Sequence, residues 1–94
     1  MASALIVGGD QVIGIKRELA NFGITNISHW PGRKVGDYNR VIPQDIELIV
    51  MITDWIAHSF TSKIKQNANR RGLQIIYTHN GPISLRKKLK DINS

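Results

Sequence analysis

"ELIVMITDWIAHSFTSKIK", Glu47 to Lys65, is the stretch that decides the fold. Leu48 to Ile52 is continuously apolar and rich in branched side chains. Such a run, without polar alternation, marks a parallel strand covered on both faces. It stops at Thr53 and Asp54. From there the apolar residues are Ile56, Phe60, Ile64 and Ala68, spaced in steps of four as on one face of a helix. Gly72 ends the pattern. A strand that hands over directly to a helix is half of a β-α-β unit.

Outward from this stretch the same grammar repeats. Ala4–Val7 and Leu73–Tyr77 read as two more buried strands, beside Glu47–Ile52. Ile24–Ser28 is shorter, more polar and alternating, which fits an edge strand. Gln11–Phe22 carries Val12, Ile15, Leu19 and Phe22 on one helical face, with Gly23 as its stop. Trp55–Arg71 is the second helix. Pro82–Ile92 is the third, with Leu85, Leu89 and Ile92 inward and Pro82 at the first helical position, where a missing N–H costs nothing. Trp30 to Asp45, "WPGRKVGDYNRVIPQD", has no clear period and reads as a loop with one helical turn near 38–42. The predicted fold is α/β: a small doubly wound parallel sheet, four strands in order 2-1-3-4, with helices on both faces.

Bulk composition bounds the rest. Residues 1–94 make a single α/β domain, and 41% apolar residues suffice for one modest core. A chain this small gains from a homodimer that covers extra surface. No cysteine is present, which excludes disulfides, thiol nucleophiles and cysteine zinc sites. The longest apolar run falls far short of the ~20 residues of a membrane span. The N-terminal stretch has no signal-peptide pattern, so a cytoplasmic protein is expected. Thirteen basic against seven acidic residues give a net charge of +6, which favours polyanionic partners.

In an open α/β sheet, ligands bind beyond the carboxyl ends of the strands, at the switch point. Here that point lies between the first and third strands. Gly8, Gly9 and Asp10 follow the first strand, His29 the second, and Thr53 and Asp54 the third, with His58 and Ser59 in the next helix. Thr78, His79, Asn80 and Gly81 follow the fourth. Gly8-Gly9 before a helix resembles a phosphate-binding turn, but an ordinary structural turn is the favoured reading, with Asp10 as the helix N-cap already filling its positive end. Asp10 and Asp54 end adjacent strands and could share Mg²⁺, or simply cap two helices. An Asp54-His58-Ser59 triad is disfavoured, because neighbours in a helix diverge by ~100°. His29 and His79 stand roughly 14 Å apart across three strand spacings, too far for one zinc ion. The expected ligand-binding set is therefore Gly8, Gly9, Asp10, His29, Arg33, Thr53, Asp54, His58 and Ser59, with no metal. A second set groups the cations as a phosphate-backbone footprint: Arg33, Lys34, Arg40, Lys63, Lys65, Arg70, Arg71, Arg86, Lys87 and Lys88. Trp30 and Tyr38 are the aromatic groups expected to stack beside Arg33.

The segments "ALIVGGD", "ISHWPGR", "ELIVMITDWIAHSFTSKIKQNA" and "GPISLRKKL" resemble domain of unknown function 2325, a family of small bacterial α/β domains found alone or fused to others. The resemblance covers almost the whole chain. Its most specific part is the strand-end Thr53-Asp54, then an aromatic, then His58-Ser59, then a lysine-bearing helix. It implies this fold and one site formed from Gly8, Gly9, Asp10, His29, Gly32, Arg33, Thr53, Asp54, His58, Ser59 and Lys65. It implies no activity. Ser59 stands where the family often has an amide side chain, which argues against a direct role for the serine.

The expected function is non-enzymatic binding of a polyanion, with nucleic acid preferred. The alternative is a sensor for a nucleotide or small phosphorylated ligand at the strand ends. Magnesium-dependent hydrolysis or phosphoryl transfer ranks last, because no catalytic motif is present.

Overall fold

The computed structural model of the protein describes residues 3–31, 41–53 and 58–93. The elements in chain order are β1 (Ser3–Val7), α1 (Ile13–Asn21), β2 (Asn26–Trp30), β3 (Leu48–Ile52), α2 (His58–Arg71), β4 (Gln74–Thr78) and α3 (Pro82–Asn93). The four strands form one parallel sheet in the order β2-β1-β3-β4. This is the predicted doubly wound arrangement, with the switch point between β1 and β3.

β1 and β3 are the central strands, and every residue in both is buried. Their continuous apolar runs serve two separate cores. Ala4, Ile6, Val50 and Ile52 face α1 and α3, where they meet Val12, Ile15, Leu19, Leu85 and Leu89. Leu5, Val7, Ile49 and Met51 face the opposite way and meet Phe60, Ile64 and Ala68 of α2. Ile42 and Ile46 join that second core, so the irregular segment before β3 covers the sheet where a further helix would otherwise lie. Arg71 fastens this segment, its guanidinium donating to the Ile42 carbonyl at 2.8 Å and the Pro43 carbonyl at 3.0 Å.

Two strands begin later than the sequence pattern suggests, for one shared reason. Gly23 (φ 86°) and Gly72 (φ 67°) adopt the left-handed conformation that ends α1 and α2. The Ile24 N–H bonds to the Leu19 carbonyl and the Gly23 N–H to the Ala20 carbonyl. The Leu73 N–H bonds to the Ala68 carbonyl, and the Gly72 N–H to the Asn69 carbonyl, in the same way. These are Schellman stops, whose signature includes an apolar residue just past the glycine that packs back on the helix. Ile24 and Leu73 fill that role and so are not strand residues. β2 accordingly runs over Asn26–Trp30 rather than Ile24–Ser28. His29 and Trp30 thus lie within the strand, not after it. Trp30 is buried in the α2-side core, which corrects its expected place as an exposed stacking group.

The helix starts also differ in detail. α1 begins with Val12 at the cap position and no side-chain cap, so Asp10 is not its N-cap. Pro82 opens α3 as expected. The caps and helical turn placed at Asp54 and Tyr38 lie outside the described residues, whereas Val41 and Ile42 are irregular.

α1 and α3 are tied by an ion pair that the sequence pattern does not reveal. Glu18 lies on the buried side of α1, its side chain only 6% exposed, and Arg86 grips both carboxylate oxygens at 2.6 and 3.1 Å. The hydrogen bonds from Arg86, and then its charge and that of Lys90, hold the Glu18 carboxyl below its ordinary 4.5 against the opposing effect of burial. A carboxyl with a depressed folded-state pKa adds stability above its unfolded pKa and loses it as pH falls through the folded value. The Glu18→Gln variant should therefore melt at a lower temperature than the wild type at neutral pH. The two melting temperatures should converge as the pH falls from the ordinary 4.5 through the depressed folded-state value, where the wild-type carboxylate protonates.

Candidate functional site

The C-terminal ends of the strands and the N-terminal ends of all three helices lie at one rim, because every helix follows a strand of a parallel sheet. The first turns of α1, α2 and α3 contain no acidic residue. Their partial positive ends, each equivalent to roughly half an elementary charge, are therefore not offset from within the helices.

The turn after β1 is the best-defined part of this rim. Gly8 and Gly9 are both left-handed, at φ 93° and 73°. The Gly8 N–H still belongs to the sheet and donates to the Trp30 carbonyl at 2.7 Å. Register explains what comes next. His29 pairs with Ile6 and so projects from the α1 side of the sheet, one step below the turn. Its Nε2 lies 2.8 Å from the Gly8 carbonyl oxygen and 3.0 Å from that of Gly9. Both partners are acceptors, so Nε2 carries the hydrogen and donates to both.

This clamp fixes the opposite sides of the same two peptide groups. All peptide bonds among the described residues are trans. In a trans peptide the N–H points opposite to the C=O. With the Gly8 and Gly9 carbonyls turned toward His29, the N–H groups of Gly9 and Asp10 point away from that ring. Donation to a carbonyl also polarises its peptide and strengthens the N–H as a donor.

The far wall is built from the turn after β4. Thr53 continues the ladder, its N–H donating to the Thr78 carbonyl at 3.0 Å. Thr78 itself is buried, and its hydroxyl donates to the His79 carbonyl at 3.0 Å. Asn80 donates to the Gln11 carbonyl at 3.2 Å and so joins the two turns across the top of β3. A Cβ placed on Gly9 would come 3.1 Å from Val12, 3.4 Å from the Asn80 amide and 3.6 Å from Ile52. The position is closely packed, and at this left-handed backbone conformation only glycine fits it without a shift.

Of the expected ligand set, Gly8, Gly9, Asp10 and His29 form one structural unit, and Thr53 ends the adjacent strand. Asp10 and Ser59 are exposed. Arg33, Asp54 and the His58 side chain, together with Gly32, lie outside the described residues. So do Lys34 and Arg40 of the cationic set. Among the described residues, no three His, Asp or Glu side chains converge on a point that could hold a metal ion.

The described cations divide in two. Arg71, Arg86 and Lys88 have work inside the fold: Arg71 holds Ile42 and Pro43, Arg86 holds Glu18, and Lys88 donates to the Tyr77 carbonyl. Lys63, Arg70 and Lys87 are exposed. Lys65 is exposed too and sits 5.3 Å from the centre of the Tyr77 ring. Tyr77 and Asn80 are not in the expected ligand set, although Asn80 is expected on the strand-end rim. Tyr77 was read only as a strand residue, although its position at the end of the last strand could have marked it as half-exposed.

No helix among the described residues is long and apolar enough to cross a membrane. No curated protein and no solved structure matches the chain. One family model does, over residues 3–92, and its description is "Uncharacterized protein conserved in bacteria". With nearly its whole length matched, the chain belongs to the DUF2325 family.

Proposed function

We propose that this is a binding domain for a small phosphorylated ligand, seated at the switch point between β1 and β3. The observation that carries it is the His29 clamp, which holds the Gly8 and Gly9 carbonyls and so turns the following N–H groups away from β2. Backbone N–H groups in a two-glycine turn and nearby helix N-termini suit a phosphate oxygen. The net charge of +6 draws anions to the surface from a distance. The small ligand is preferred to nucleic acid because three of the cations expected to contact a phosphate backbone already have partners in the fold. No catalytic step is assigned, and the setting we propose is the cytoplasm.

The test is thermal melting with inorganic phosphate and a panel of mononucleotides. A ligand present at a hundred times its dissociation constant adds about 2.7 kcal/mol to the native state. In a domain this small that raises the melting temperature by about 10–20 °C. Gly9→Ala should abolish the shift, since its Cβ enters the space beside Asn80 and Ile52. That variant should also lose about 1–2 kcal/mol of stability from the left-handed backbone alone. A flat panel overturns the proposal.

Nucleic acid is the second reading, favoured by the exposed Lys63, Arg70 and Lys87. It is the better account if a single-stranded oligonucleotide binds with a steep salt dependence and binding is unaffected by Gly9→Ala.

A further inference from the structure

β4 stands at one end of the sheet order, with β3 on its inner side. The Thr78 carbonyl accepts from Thr53 of β3, so it points inward. Backbone groups alternate along a strand, so those of Ile76 and Gln74 also point inward, and those of Tyr77 and Ile75 point outward. The outward carbonyl of Tyr77 is the one that Lys88 reaches from α3. The strand, "QIIYT", contains no charge, proline or glycine, the usual devices that keep an edge from pairing. Gln74, Ile75, Ile76, Tyr77, Lys88 and Asp91 line a groove along this edge.

We propose that this edge is the contact of a symmetric homodimer, in which β4 pairs antiparallel with β4 of a second copy. The strand is self-complementary in one register. With the two-fold axis at Ile76, outward-facing Ile75 sits opposite Tyr77 of the second copy, and each pair exchanges two N–H···O=C bonds. All five residues Gln74–Thr78 are then covered, and an aromatic faces a β-branched side chain at both ends. Charge complementarity picks the same partner. α3 runs back along β4, so Lys88 lies level with Tyr77 and Asp91 one turn further toward the start of the strand. The two-fold axis reverses that order in the second copy. It sets Lys88 of each chain across from Asp91 of the other and releases the Tyr77 carbonyl for the new ladder.

Sedimentation equilibrium over a concentration series tests this. The wild type should show a monomer–dimer equilibrium. Ile75→Pro removes an outward N–H that no bond within the sheet uses, and should weaken dimerisation at least tenfold while the circular dichroism spectrum stays native. Lys88→Glu should weaken it similarly, and the charge swap Lys88→Glu/Asp91→Lys should restore it. The swap keeps the proposal testable should Ile75→Pro perturb folding. A wild type that is monomeric throughout overturns the proposal, as does a dimer indifferent to Lys88→Glu and its swap.

Discussion

Phe60→Ala should cost about 3–5 kcal/mol of stability, the usual penalty for emptying an aromatic site in a packed core. Phe60 is 1% exposed and is the largest side chain that α2 sends into the second core. Among the described residues of α2, Ile64 and Ala68 are the other apolar side chains in that core, and Ala68 contributes a single methyl. A domain of this length has a total stability of only about 5–15 kcal/mol. The loss therefore takes about a fifth or more of it, and the urea midpoint should fall accordingly with an unchanged slope. Ile83→Ala is the control: Ile83 is 68% exposed, and its truncation should be nearly silent. A Phe60→Ala loss below about 1 kcal/mol would mean that α2 collapses onto the sheet and fills the gap.

The stripe that anchors α2 is legible in the sequence, and so is the sheet. Ala4–Val7 and Leu48–Ile52 announce themselves because both faces of a central parallel strand are buried, which removes any competing periodicity. What misled at β2 and β4 was the glycine stop. An apolar residue after a C-terminal glycine belongs equally well to a helix cap or a strand start, and Ile24 and Leu73 turn out to be caps. That two-residue shift matters for the site. With β2 placed at Ile24–Ser28, His29 is a rim residue free to meet a ligand. With β2 at Asn26–Trp30, register holds His29 level with Ile6 and under the glycine turn. The sequence shows the glycines and the histidine but not the contact between them, because pairing register across 20 intervening residues has no local signature. Glu18 was illegible for a similar reason. It occupies the helix position just before Leu19, and only the packing of α1 on α3 makes it a buried partner for Arg86.

His29→Ala should separate the two roles this clamp combines. On stability, it strips the shared donor from the Gly8 and Gly9 carbonyls, and leaving an acceptor unmet costs about 1–3 kcal/mol when water is excluded. The ring is only part-buried, so water can replace some of it and the loss belongs at the low end. On binding, the effect should be larger. Two consecutive left-handed glycines have few conformational restraints of their own, so the direction of the Gly9 and Asp10 N–H groups depends on what grips their carbonyls. Without the ring, the competent arrangement becomes one among several, and apparent affinity falls in proportion to its population. A drop of about tenfold or more is expected for any phosphorylated ligand bound there. His29→Gln keeps an N–H donor on a side chain of similar reach and should recover part of the affinity. The readout is the pair of amide resonances of Gly9 and Asp10, followed through a ligand titration. If both stay at their wild-type positions in His29→Ala, the turn orients itself, and His29 is a structural strut rather than the residue that aims the site.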